Sequence, residues 1–247
     1  MNFNCITLFE VLGDSSTIQK LEDEYFTHQT WETWSDSTDL WGLDFNKIVP
    51  TPHSLMLELD LIISLEFKHR IAHEMVNMLF YPKRKTRPTV KKAMADLSTM
   101  PNLLPSEFAR PKNLYQVMVL LRQTEIGRKL IFLNHLHFRN RKRYGKDALI
   151  NWRTKHWGSS VPCKHFEVLG KGRYLLHTSY NPPLIVLQRL SELLGQVTIR
   201  VRYMDTQLLS AGTREWHDGV LVNEVKIAPH EFALELFFDT EISKLTC

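Results

Sequence analysis

The pattern that most constrains this chain is a change of hydrophobic period along its length. Leu55, Leu59, Ile62, Phe67, Ile71, Met75, Met78 and Leu79 recur at roughly helical spacing, as in a helix that buries one face. On either side the pattern turns β-like. Residues 3–12 are apolar and β-prone, and residues 197–203 alternate as a half-buried strand does. Strand patterns at both ends with helical patterns between them predict a sheet built from sequence-distant segments, with a helical segment let into the chain.

The remaining punctuation fills in the order. Gly13-Asp14-Ser15-Ser16 breaks the first strand, and Ser15 or Ser16 can cap a helix over 17–28 with Ile18, Leu21 and Tyr25 on one face. Residues 29–41 are polar and hold Trp31, Trp34 and Trp41, which predicts a loop with aromatic anchors. Residues 45–49 predict a short strand stopped by Pro50-Thr51-Pro52. The helical run over 54–80 ends at Tyr81-Pro82. Pro88 can open a short helix to about 98, Pro111 another with Leu114, Val117, Met118 and Leu121, and a third covers about 125–138. Residues 146–156 predict one more helix, closed by Gly158. Residues 166–169 and 174–178 predict a hairpin around Gly170-Lys171-Gly172. Pro182-Pro183 opens an amphipathic helix with Leu184, Leu187, Leu190 and Leu194 that stops at Gly195. Further strands are expected over 208–212, 219–226 and 232–238. The order predicts an α+β fold: a ferredoxin-like βαββαβ sandwich with a helical insertion after the second strand and extra C-terminal strands. Residues 1–53 and 147–247 form the discontinuous α+β domain, and 54–146 the inserted helical subdomain.

Charge divides along similar lines. Residues 1–53 hold 2 Lys/Arg against 9 Asp/Glu, and 54–67 add 3 acids and no base. Residues 68–146 hold 18 Lys/Arg against 4 Asp/Glu, while 147–247 balance at 11 against 11. So basic a segment points to a polyanionic partner, or to internal pairing with the acidic start at Glu22, Asp23 and Glu24. The three cysteines, Cys5, Cys163 and Cys247, have no paired spacing, which argues against a disulfide framework or structural zinc and for a reducing compartment. No signal-peptide pattern opens the chain, and no apolar run reaches the ~18 residues of a membrane span. The expectation is a cytoplasmic protein without membrane contact.

A set of short motifs carries a resemblance. These are the first strand with Gly13-Asp14, the block Asp44-Phe45-Asn46-Lys47-Ile48-Val49-Pro50-Thr51-Pro52, Tyr144-Gly145-Lys146-Asp147, Asn151-Trp152-Arg153, Trp157-Gly158 and Thr178-Ser179-Tyr180-Asn181-Pro182-Pro183. Together they resemble the ferredoxin-like domain family of uncharacterised bacteriophage and plasmid proteins. The chain departs from that pattern at Ser159-Ser160-Val161, where the family has Thr-Lys-Trp, and at Tyr180 and Asn181, where it has Trp and Ser. The resemblance implies a mobile-element origin, the cytoplasm of a bacterial host and the fold; it supplies no catalytic residues. Trp152, Trp157, Gly158, Tyr180, Pro182 and Pro183 are expected to serve packing and helix entry.

Four constellations could carry chemistry. Glu66, His69 and His73 share a face of the predicted helix but lack a further ligand set, so no metal or cofactor is expected. His135 and His137 would diverge by about 100° per step on a helix and not share a ligand. His28-Gln29-Thr30 and His177-Thr178-Ser179 are two H-x-[ST] triplets, the pattern of histidine-dependent phosphodiesterases, which need both on facing strands. The strongest signal is basic. Arg139, Arg141, Lys142, Arg143 and Lys146 cluster at a helix end with Phe138 and Tyr144 interleaved, and Lys83, Arg84, Lys85, Arg87, Lys91 and Lys92 form a second cluster. Cations interleaved with aromatics suit phosphates and base stacking. The reading is a non-enzymatic accessory protein that binds a host protein or nucleic acid, in particular to block a defence or nucleic-acid-handling system.

Overall fold

The computed structural model describes residues 5–32, 37–64, 95, 97, 113–163, 165–179, 181–205, 210–228 and 230. Two compact units divide the chain, residues 1–51 with 149–247 and residues 52–148. The first unit is built on strands β1 (Cys5–Leu12), β4 (His165–Gly170), β5 (Arg173–Thr178), β6 (Thr198–Asp205), β7 (Ala211–His217) and β8 (Val220–Ile227). They form one sheet in the order β4-β5-β1-β6-β7-β8, with every neighbouring pair antiparallel. The fold class is therefore α+β.

Helices α1 (Ser15–Tyr25) and α7 (Leu184–Leu194) bury one stripe each in this unit. Ile18 and Leu21 are buried on α1, and Val186, Leu187, Leu190 and Leu194 on α7. The alternate residues Cys5, Thr7, Phe9 and Val11 of β1 are all buried, and the Phe9 ring stacks on Tyr174 with centroids 4.9 Å apart. Leu8, Leu175, Met204 and Ala211 form a second, smaller apolar cluster. Period-two alternation places these two sets on opposite faces of the sheet.

Several elements differ from the sequence reading. Asp14, not Ser15 or Ser16, caps α1: its carboxylate accepts from the Thr17 N–H at 2.8 Å, and α1 ends at Tyr25. The chain then enters β2 (Phe26–Glu32), which pairs with β3 (Ser37–Leu43) in a separate two-stranded sheet where a loop was expected. Aromatic packing explains it. Phe26 meets Trp41, Phe166 and Tyr174 edge-on at 5.0–5.1 Å, so the hairpin carries its own apolar anchor. Residues 45–49 are not a strand: α2 (Phe45–Ile48) is one helical turn, because the Asp44 side chain accepts from the Asn46 N–H and favours helix initiation over a four-residue β run. The second strand of the main sheet is consequently β4, and residues 52–148 precede it. Strand β7 begins where the 208–212 prediction ends. The expected elements over 65–80, 88–98 and 232–238 lie outside the described residues, apart from Ala95 and Leu97.

Helix α6 (Ala148–Trp157) delivers Trp157 into the first unit. Its indole is fully buried, packs edge-on to Phe45 at 5.6 Å, and donates Nε1–H to the Val49 carbonyl at 2.8 Å. Gly158 follows at φ +80°, and a Cβ there would lie 2.9 Å from the Pro182 carbonyl oxygen, so both conformation and space call for glycine. Trp157→Ala is expected to cost about 3–5 kcal/mol through the lost ring. Trp157→Phe is expected to cost about 1–3 kcal/mol, because it leaves the Val49 carbonyl without its donor. Urea midpoints of the two variants check this.

Candidate functional site

The second unit presents the candidate surface. Its described helices are α3 (His53–Ser64), α4 (Leu114–Gln123) and α5 (Glu125–Tyr144). Asn113 caps α4 by accepting from the Gln116 N–H. Thr124, held extended, ends α4 and starts α5, its hydroxyl accepting from the Gly127 N–H at 3.1 Å. The turn is so tight that a Cβ on Gly127 would fall 1.9 Å from the Leu121 carbonyl oxygen. Helix α5 runs past the predicted end at 138 to Tyr144, where the Gly145 N–H bonds the Arg141 carbonyl. The extra turns carry the basic cluster.

One face of α5 is buried through Leu130, Leu133, Leu136 and Asn140. A buried polar clamp fixes that face to α3. The Glu58 carboxylate lies 2.6 Å from His137 Nδ1 and accepts from Asn140 Nδ2 at 2.6 Å, while Asn140 also donates to the Ser54 carbonyl at 2.9 Å. His137 is thus a structural partner and not a ligand paired with His135. No sequence motif marks this clamp; only the i, i+3 spacing of His137 and Asn140, with an acidic residue, Glu58, among the leucines of an apolar helix, hints at it.

The other face is solvent-exposed. Arg139, Arg141, Lys142, Arg143 and Lys146 are all exposed, and no carboxylate among the described residues pairs with them. The Arg143 guanidinium sits 5.4 Å from the Tyr144 ring centroid. Phe132 and Phe138 stand 50% and 46% exposed beside these cations. Within the first unit, Glu22 accepts from the Tyr174 hydroxyl at 2.8 Å, and Asp23 from Gln19 at 2.9 Å. Basic residues in the last turn of α5 also complement the carbonyl end of that helix, which explains their helical compatibility but not their number. Lys83, Arg84, Lys85, Arg87, Lys91 and Lys92, together with Glu66, His69 and His73, lie outside the described residues.

In the first unit, Trp152 is buried, stacked on His156 at 4.6 Å and edge-on to Trp157 at 6.0 Å. Pro183 precedes α7, whose Leu187 N–H bonds its carbonyl, and Leu184 bonds that of Pro182. Tyr180 lies outside the described residues. Arg153, between the tryptophans in sequence, is buried with its guanidinium 4.7 Å over the Trp157 ring, and burial pushes its pKa down to about 10.

The two H-x-[ST] triplets separate. His28 is on β2 of the two-stranded sheet, not at a helix end, and His177 is on β5 of the main sheet. They do not occupy neighbouring central strands of one sheet, the arrangement that acid and base on opposite sides of a phosphate would need. His177 instead faces its cross-strand partner His165, ring centroids 5.1 Å apart, and His165 bonds Glu167 at 2.7 Å. The Cys5 and Cys163 thiols are buried, and desolvation raises both to about 12, which removes them as thiolate nucleophiles near neutral pH. Among the described residues, no group of three or more His, Cys, Asp or Glu could hold a metal ion. No helix among them is long and apolar enough to cross a membrane.

Against known proteins, no family model and no curated protein matches the chain. Among solved structures, protein api92 from Yersinia pseudotuberculosis, of family DUF1281, aligns over 92% of this chain and 98% of its own. The identity is 11% and the TM-score 0.39, a likeness too remote to carry any conclusion.

Burial of His177 lowers its pKa from the usual 6.5, reinforced by His165 and opposed by Glu167. Below pH 6.5 the unfolded chain then binds more protons than the folded one, so stability is expected to fall as pH drops through and below 6.5. In His177→Gln that part of the slope, at most about 1.4 kcal/mol per pH unit, should disappear. Urea titrations at a series of pH values measure it.

Proposed function

We propose that this chain is a non-enzymatic accessory protein of a mobile genetic element that binds an anionic host macromolecule through the exposed face of α5. The supporting observation is the row Arg139, Arg141, Lys142, Arg143 and Lys146, solvent-exposed with no carboxylate partner among the described residues. Isolated cations on a surface are ordinary; five within eight residues, beside two half-exposed phenyl rings, set up a local positive potential that attracts polyanions. A bacterial phage or plasmid origin, the cytoplasm of that host and a role in blocking a defence or nucleic-acid-handling system rest on the motif set from Gly13-Asp14 to Pro182-Pro183. In this reading β1, α1, β4, β5, α7 and β6 make a ferredoxin-like scaffold, supported by the antiparallel order β4-β5-β1-β6. Strands β7 and β8 extend its edge, and the helical unit interrupts it between α2 and β4.

A second reading, direct nucleic-acid binding by the same face, is favoured by the phenyl rings among the cations. Tagged chain recovered from host cells should bring down one stoichiometric partner, and the triple variant Arg139→Glu, Lys142→Glu, Arg143→Glu should lose it. Nuclease treatment before capture separates the two readings: a nucleic acid disappears and a protein stays. Recovery unchanged in the triple variant would remove α5 as the contact.

A further inference from the structure

We infer that the exposed face of α5 is a single-stranded nucleic-acid platform, with Phe132 as its base-stacking ring. This rests on the reading of that face as an anion contact, and names the anion.

The placement is the reason. At about 100° per residue, Phe132, His135, Arg139, Lys142 and Arg143 fall within an arc of about 100°, and Phe138 lies about 40° beyond it. Along the axis Arg139 stands about 10 Å from Phe132, and Arg143 about 6 Å further on. The face thus presents a ring and then a run of cations along one line. Arg139, Lys142 and Arg143 carry fixed positive charge, and no carboxylate among the described residues neutralises them. Arg143 lies over Tyr144, which holds its guanidinium near the surface rather than folded back on an acid. The clamp of Glu58 with His137 and Asn140 fixes the opposite face of the same two turns, so these side chains start from a rigid helix.

Charge alone would suit any polyanion, and the ring selects among them. A phenyl group half out of the surface gains nothing from phosphate or sulfate, but it gains from the face of an unstacked base. In a duplex those faces are turned inward and occupied. An acidic protein would match the cations but would need an apolar side chain placed at one position for the ring. A single strand offers phosphate and a π-face in every unit, so one base can meet the ring while the phosphates that follow it meet the run of cations, in any register.

The test uses the full chain and a fluorescein-labelled oligo-dT, read by anisotropy at about 50 and about 200 mM salt. Three phosphate contacts on a single strand predict a loss of affinity of about twentyfold across that range. Phe132→Ala should weaken binding at least about fivefold without changing the salt slope, and Phe132→Trp should restore it. Position 132 is half-exposed, so folding is not at stake in either variant. Heparin, a polyanion without bases, should bind wild type and Phe132→Ala alike. Equal affinity for duplex and single strand, no effect of Phe132→Ala, or an equal loss for heparin would overturn the inference. So would capture of poly-glutamate with no binding of oligo-dT, which would assign the face to a protein. If Arg139→Glu, Lys142→Glu, Arg143→Glu abolishes heparin binding while the ring variants change nothing, the anion contact stands and only the single-strand platform falls. If the charge variant binds everything as wild type does, the anion contact itself falls.

Discussion

The pairing of β1 with two strands from the far end of the chain holds the first unit together. Cys5–Leu12 takes Arg173–Thr178 on one edge and Thr198–Asp205 on the other, both antiparallel. Helix α1 leaves β1 through Asp14, and α7 joins β5 to β6. Such pairing closes a loop of some hundred and sixty residues, whose entropic cost grows only with the logarithm of length. A long helical segment between β1 and β5 is therefore tolerable, provided the central strands bury enough apolar surface. Phe9, Val11, Tyr174, Leu176, Ile199 and Val201 are each almost completely buried and supply it.

The helical unit works by a different balance. Helix α5 divides sharply into a buried and an exposed face, with Leu130, Leu133, Leu136 and Asn140 on the first and Arg139, Lys142 and Arg143 on the second. A buried carboxylate is costly unless its lone pairs are met, and Glu58 is met by both His137 and Asn140. The clamp makes one rotation of α5 against α3 much better than its alternatives. That rotation directs the cations outward, so a polar interaction in the interior sets the electrostatics of the surface.

Legibility in the sequence followed the strength of local signals. The 174–178 strand, the Pro182-Pro183 helix opening and the stop at Gly195 were readable because turn residues and periodicity agreed there. The hairpin of β2 and β3 was not, since residues 29–41 are polar and their strand character depends on Phe26 and Trp41 meeting Phe166, about a hundred and thirty residues away. Residues 45–49 looked like a strand by propensity, yet the side chain of Asp44 turned them into a helix. The basic cluster of the candidate surface was visible in the sequence; the Glu58 clamp behind it was not, because its members are about eighty residues apart.

The sequence by itself determined the composition of the surfaces: which stretches are basic, where aromatics interleave with cations, and which short segments favour strand or helix. These are local quantities, fixed by residue type and spacing. Tertiary structure decided which of those residues face water. Glu22 accepts from the Tyr174 hydroxyl across the first unit, and His28 and His177 part onto separate sheets. Arg139, Lys142 and Arg143 of α5 are left exposed by the burial of the opposite face. Local spacing sets a side chain's direction on its own helix or strand, but its partner is chosen by packing between segments that the chain order keeps far apart.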